Sequence, residues 1–235
     1  MSAPISANFE AFSNEIQRHP QFVSLVEEGS AAVGDPWQQG YSDHDLHVVT
    51  EEDLPSDLMA VQGALLRHPL GDTYLVTHHR RADFTATGHT LNDLSVQYRS
   101  SLIAGEDLVA QRPQYNRPRA LTHGFIGLQA IEDKLDKRIL NAHSWTEDRL
   151  RHESYDLLKK WFCYNAAVVF GRGEAYPVQR ESIVEHLPDA EIGGHILRVT
   201  HSIATAEKYE LIGVLSAARD MTAHILHLPR PDEQD

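Results

Sequence analysis

A single cysteine, Cys163, gives the chain no partner with which to close an internal disulfide, so an ordinary packed core and a reducing compartment, the cytoplasm, are expected. Cys163 stands in an apolar helical stretch and reads as a buried small hydrophobe, not a nucleophile. Long apolar runs are missing as well, and none approaches the ~20 residues that cross a bilayer. The start, Met1-Ser2-Ala3-Pro4, lacks the basic and apolar segments of a signal peptide. Positive charge is scarce: 21 Lys and Arg stand against 34 Asp and Glu, a formal net charge of −13. That balance argues against nucleic acid as a partner, because such binding neutralises phosphates with Lys and Arg. An acidic surface concentrates cations instead, which suits a cationic small molecule. Histidine is plentiful at 15, but only His78-His79 are adjacent, and no His-x₃-His helix face with a glutamate base occurs. A zinc enzyme is disfavoured.

What is present is an ordinary globular composition, 41% hydrophobic and 23% charged, in 235 residues, enough for one large domain or two small ones. Asn8–Arg18 carries Phe9, Phe12 and Ile16 at helical spacing, closed by His19-Pro20. Phe22–Val26 reads as a short strand, Glu28–Ser42 as a loop, and the β-branched Asp45–Thr50 as a second strand. Leu54–Leu66 is helical up to the break Pro69-Leu70-Gly71. Thr73–Thr87 and Thr90–Arg99 read as a β-hairpin turning at Gly88-His89. After Ser100 the pattern becomes helical: Leu128, Ile131, Leu135 and Ile139 repeat at that spacing, then Leu157, Leu158, Trp161, Phe162, Val168 and Val169. Gly171-Arg172-Gly173 reads as a helix stop, and Glu191–Ile225 adds one or two helices. Gln111–Pro118 is the expected linker between a domain at 1–110 and a helical one at 119–228, and 229–235 the expected frayed tail.

One stretch carries chemistry: Glu28-Gly29-Ser30, eleven residues, then Ser42-Asp43-His44-Asp45-Leu46-His47-Val48-Val49. Side chains alternate along a strand, so Asp43 and Asp45 share a face about 7 Å apart. Carboxylates so placed can share divalent ions about 3.5–4 Å apart, the arrangement of two-metal phosphoryl transfer. Without a cation they repel, and at least one pKa would rise. Leu46, Val48 and Val49 anchor the strand, while Gly29 lets backbone approach a phosphate and Ser30 places a hydroxyl beside it. An Asp-x-Asp alone is more often a polar turn entering a strand. The Gly-Ser upstream and the apolar strand downstream reverse that.

The pattern strand, Gly-Ser, loop, Ser-Asp-x-Asp, apolar strand resembles the nucleotidyltransferase superfamily, which includes the minimal nucleotidyltransferases and the aminoglycoside and lincosamide adenylyltransferases. The resemblance covers most of Gln21–Arg99 and extends loosely into the helical half. It implies an α+β fold, a nucleotidyltransferase mixed sheet with flanking helices followed by an all-helical C-terminal domain. It also implies Mg²⁺ on Asp43 and Asp45, an NTP (ATP the expected one) as co-substrate, and Gly29, Ser30 and Ser42 at the nucleotide. Two departures stand out. Ala31-Ala32-Val33 occupies the place where many members have an arginine, and the loop carrying Trp37-Gln38-Gln39 is a little long. The family's third carboxylate, a metal ligand or general base, lies on a later strand; Asp93 is preferred here over Asp83. Arg80, Arg81, Lys159-Lys160, Glu153 and Asp156 are secondary candidates, while Trp161, Phe162 and Tyr164 read as helix core.

The expected activity is transfer of AMP from ATP to a hydroxyl of an aminoglycoside- or lincosamide-like molecule, by a monomer or homodimer. Transfer to a protein or RNA end, as in toxin–antitoxin nucleotidyltransferases, and a non-enzymatic binding or regulatory domain are the alternatives. The intact Asp-x-Asp speaks against the last.

Overall fold

The computed structural model of the chain describes residues 7–36, 38, 40–52, 74–86 and 90–228. The chain divides into two compact units, Met1–Tyr115 and Asn116–Asp235.

In the first unit, helix α1 (Ala7–Gln17) precedes four strands: β1 (Phe22–Glu28), β2 (His44–Thr50), β3 (Tyr74–Arg80) and β4 (Ser100–Gly105). They form one sheet in the order β3-β2-β1-β4. β1 runs antiparallel to both β2 and β4, and β3 is parallel to β2. The central strands β1 and β2 are buried along nearly their whole length because both of their faces are covered. On one side Phe9, Phe12 and Ile16 of α1 pack on Leu25, Leu46, Val48, Tyr74 and Val76. On the other, Val23, Val26 and Val49 meet Phe84, Val96 and Leu108. The last three come from α2 (Arg81–Thr85), α3 (Leu91–Tyr98) and the segment after β4.

The expected hairpin is not there. Tyr74–Arg80 is a strand, but it pairs with β2; Arg81–Thr85 and Leu91–Tyr98 are helices. The alternation of Leu94, Val96 and Tyr98 imitates a strand, yet Thr90 and Asp93 form a capping box that starts a helix. The expected helix at Leu54–Leu66, its break, the turn at Gly88-His89 and the tail at 229–235 lie outside the described residues.

The second unit contains α4 (Arg117–Ala142), α5 (Glu147–Gly171), α6 (Arg180–Val184), α7 (Ala190–His201) and α8 (Lys208–Leu226). Asn116 and Thr146 cap α4 and α5, their side chains accepting from the N–H of Arg119 and Arg149. The two long helices approach closely at Gly127, where an added Cβ would fall 2.3 Å from the Tyr164 ring. Trp161 and Phe162 are fully buried, and the Trp161 indole N–H donates to Thr222 Oγ1 at 2.9 Å. Cys163, expected to be buried, is only half-buried. The stop at Gly171-Arg172-Gly173 is a helix cap, with Gly173 at φ 107° donating to the Phe170 carbonyl. Among the described residues no helix is long and apolar enough to cross a membrane.

Candidate active site

The end of β1 and the start of β2, the two central strands, meet at one end of the sheet, with Glu28 opposite Asp45. Directly after Glu28 the chain turns at Gly29, whose φ of 89° favours a residue without Cβ. A Cβ there would stand 3.4 Å from Asp45 Oδ2, so the loop backbone runs along that carboxylate.

The loop is fastened from behind. Gly29 N–H donates to the Arg99 carbonyl at 2.9 Å and is therefore committed to the fold. Asp35 N–H closes the turn on the Ser30 carbonyl at 2.9 Å. The Arg99 guanidinium donates to Asp35 Oδ2 at 2.6 Å, with both side chains buried. Farther along, Ser42 Oγ accepts from Gln38 N–H at 2.9 Å, which ties that hydroxyl into the loop.

β2 sorts its side chains by alternation. His44 and Leu46 turn toward the α1 side, where His44 stacks on Tyr74 with ring centroids 4.6 Å apart and bonds Glu27 through Nδ1. Asp45 and His47 therefore face the other side, and Asp43 stands one residue before β2. Asp43 and Asp45 are both half-buried. His47 is buried among polar partners: its Nε2 lies 2.7 Å from Glu28 Oε2, and its Nδ1 lies 2.9 Å from His79 Nε2. A carboxylate accepts, so Nε2 of His47 donates to Glu28, while the His47 Nδ1–His79 Nε2 bond runs in the direction the ring tautomers set. Burial pushes the His79 pKa down to about 4, helped by His47, Arg112 and His78 and opposed by Asp83. His79 is accordingly neutral at physiological pH. No sequence signal links these three residues, because the contact depends on strand register across 19 and 32 positions.

Neither Asp93 nor Asp83 lies on a strand beside β2. Of the two strands that flank β2, the later one in the chain is β3, which sets Leu75 next to Asp45 and contains no acid. Asp93 sits in the first turn of α3. Its Oδ2 accepts from Thr90 N–H at 2.8 Å and from Thr90 Oγ1 at 2.7 Å, and its Oδ1 from Arg112 at 2.7 Å. Burial raises its pKa, but these donors outweigh that and leave it below the usual carboxylate value. The strand expected to present Asp93 to the metal is thus a helix whose N-terminus Asp93 closes. Asp83 lies on α2, paired with Arg80 at 2.7 Å. The secondary candidates are engaged too: Arg81 with Glu51 and Glu106, Glu153 with Arg138, and Asp156 with Lys160. Lys159 lies 5.9 Å from the Tyr155 ring centroid.

Among the described residues no group of three or more His, Cys, Asp or Glu is placed to hold a metal ion. Asp43 and Asp45 offer two hard oxygen donors, half-open to solvent. Mg²⁺ is commonly held by one or two carboxylates with substrate phosphates completing its shell, so this donor set fits it.

A four-stranded mixed sheet with flanking helices, the Gly-Ser turn against an Asp-x-Asp strand, and a following helical unit define a nucleotidyltransferase fold of α+β class. Among solved structures the chain is similar to spectinomycin adenyltransferase AAD(9) from Enterococcus faecialis, determined with ATP and spectinomycin. The TM-score is 0.52 at 14% identity, covering 91% of this chain and 98% of that one. At such identity the likeness is one of fold. No family model and no curated protein matches the sequence.

Proposed function

We propose that the chain is a Mg²⁺-dependent nucleotidyltransferase that moves AMP from ATP to a hydroxyl of a small, polar, aminoglycoside- or lincosamide-like acceptor. The observation that carries this reading is the packing of the Gly29 turn against the Asp45 carboxylate, with Asp43 two residues ahead of it in the chain. A phosphate chain laid along that turn has its α-phosphate brought to the two carboxylates.

Each residue has a defined task. Asp43 and Asp45 would hold Mg²⁺, which when bound offsets the charge of the phosphates. The Ser30 hydroxyl and the backbone of the turn that follows it hold the outer phosphates, since Gly29 N–H is already used. Arg99 and Asp35 keep that turn in shape from behind. Ser42 acts by closing the loop that delivers Asp43. The acceptor oxygen attacks the α-phosphorus in line, and pyrophosphate leaves; most of the catalysis is positioning and charge compensation. The acidic surface, at −13, favours cationic acceptors.

The test is magnesium-dependent pyrophosphate release from ATP, GTP, CTP and UTP, each with and without a panel of aminoglycosides and lincosamides. Release that requires one panel member supports the reading. Binding of nucleotide with no release from any pair favours a regulatory domain, and release only with a protein or RNA end favours the toxin–antitoxin type.

A further inference from the structure

Asp45 has two neighbours across the sheet, Leu75 on β3 and Glu28 on β1. Leu75 is 58% exposed and has no group to accept a proton. Glu28 has one, sits on the Asp45 side of the sheet, and immediately precedes the phosphate-binding turn. We propose that Glu28 is the third carboxylate of the site, supplied by β1 where β3 supplies none, and that it takes the proton of the acceptor's attacking hydroxyl. His47, backed by His79, is its positioning residue. This rests on the nucleotidyl-transfer reading above.

Three features support the assignment. First, antiparallel partners sit about 4.5–5.5 Å apart at Cα, so Glu28 reaches the same space as Asp45. Its sequence neighbour Glu27 points to the opposite face and is occupied by His44. Second, among the described residues Glu28 is held from one side. His47 Nε2 donates to Oε2, fixing the carboxyl plane and leaving Oε1 for a second hydrogen bond. Third, the hold is itself rigid, because His47 is bonded at both ring nitrogens and is packed beside Phe84. The His47 hydrogen bond keeps the Glu28 carboxylate ionised and oriented.

The step balances. The acceptor oxygen bonds the α-phosphorus, and the bond from that phosphorus to the bridging oxygen of pyrophosphate breaks with its electron pair staying on pyrophosphate. The hydroxyl proton passes to Glu28.

The experiment uses the full chain with Mg·ATP and spectinomycin, streptomycin and lincomycin as acceptor probes. Glu28→Gln should keep the melting-temperature rise on adding Mg·ATP and the KM for ATP, while kcat falls about 10²- to 10⁴-fold, the range of a lost general base. Glu28→Asp, which keeps the charge but withdraws it by one methylene, should lose an intermediate share of kcat. It supplies the comparison should the glutamine variant fold poorly. His47→Leu should lower kcat with KM for ATP retained, and His47→Gln, whose amide can still donate to Glu28, should recover most of the loss. Wild-type kcat in Glu28→Gln, with Mg·ATP binding intact, overturns the role of Glu28 alone. A wild-type chain that does not bind Mg·ATP overturns the nucleotidyl-transfer reading and this role with it.

Discussion

Substituting Arg99 by methionine should destabilise the first unit severely, although Arg99 is far from the Asp-x-Asp pair in sequence. Arg99 Nη2 lies 2.6 Å from Asp35 Oδ2, and the Asp35 side chain is wholly buried, so water cannot screen the pair. Charge centres roughly 4 Å apart at an effective dielectric near 20 attract by about 4 kcal/mol. Removing one partner leaves the other charge buried and uncompensated, at a cost of about 3–5 kcal/mol. That is a large fraction of the roughly 5–15 kcal/mol that stabilises an average domain. The assay is native-state hydrogen exchange in peptides spanning 22–28 and 44–50, which reports the sheet and not the helical unit. Opening-limited amides there should exchange about 10²- to 10⁴-fold faster in Arg99→Met, with the helical unit unchanged. The double variant Asp35→Leu/Arg99→Met should recover much of the loss, since a buried pair replaced by apolar groups is often neutral. Exchange within threefold of wild type in the single variant would refute the reasoning and leave the Gly29–Asp35 turn without its anchor.

Asp43→Asn and Asp45→Asn should fold normally yet lose the thermal shift with Mg·ATP, which at a hundred times the dissociation constant is worth about 2.7 kcal/mol in the wild type; an undiminished shift contradicts the metal assignment. Isothermal titration should find Mg²⁺ bound far more tightly with ATP than alone, because two carboxylates complete their shell with phosphate oxygens; equal affinity with and without nucleotide speaks against this. Asp93→Ala should cost about 1–2 kcal/mol through the lost cap, seen in a urea melt, with kcat at 20 °C close to wild type. As pH falls from about 6.5 to 4, the unfolded chain binds a proton that native His79 resists, so stability should decline across that window. Histidine-ring NMR should show His79 neutral down to about pH 4, and a midpoint near 6.5 would contradict its burial beside His47.

Helix α1, strands β1 and β2 and the helical second unit were legible because their apolar spacing is local and regular. The Asp-x-Asp motif was visible as a local pattern, with Asp45 on β2 and Asp43 one residue before it. Residues 90–98 were misleading, since Leu94 and Val96 alternate like a strand. The signal that overrules them, Thr90 three residues before Asp93, was present and is a helix start. Placing the third carboxylate depended on that error. Glu28, His47 and His79 were beyond reach for a different reason: their contacts require the register of β1, β2 and β3, which apolar runs buried on both faces do not specify. The Arg99–Asp35 pair joins positions 64 residues apart and carries no local pattern at all.

The central claim is that Asp43 and Asp45 move a nucleoside monophosphate, and label transfer tests it most directly. Wild-type chain is incubated with Mg²⁺, ATP labelled at the α-phosphate and the same acceptor panel, beside the Asp45→Asn variant. The label should appear on one acceptor, chelation of the metal should abolish it, and Asp45→Asn should lower it at least about a hundredfold. Label transfer undiminished in Asp45→Asn, or no transfer to any acceptor by a wild-type chain that binds Mg·ATP, would contradict it.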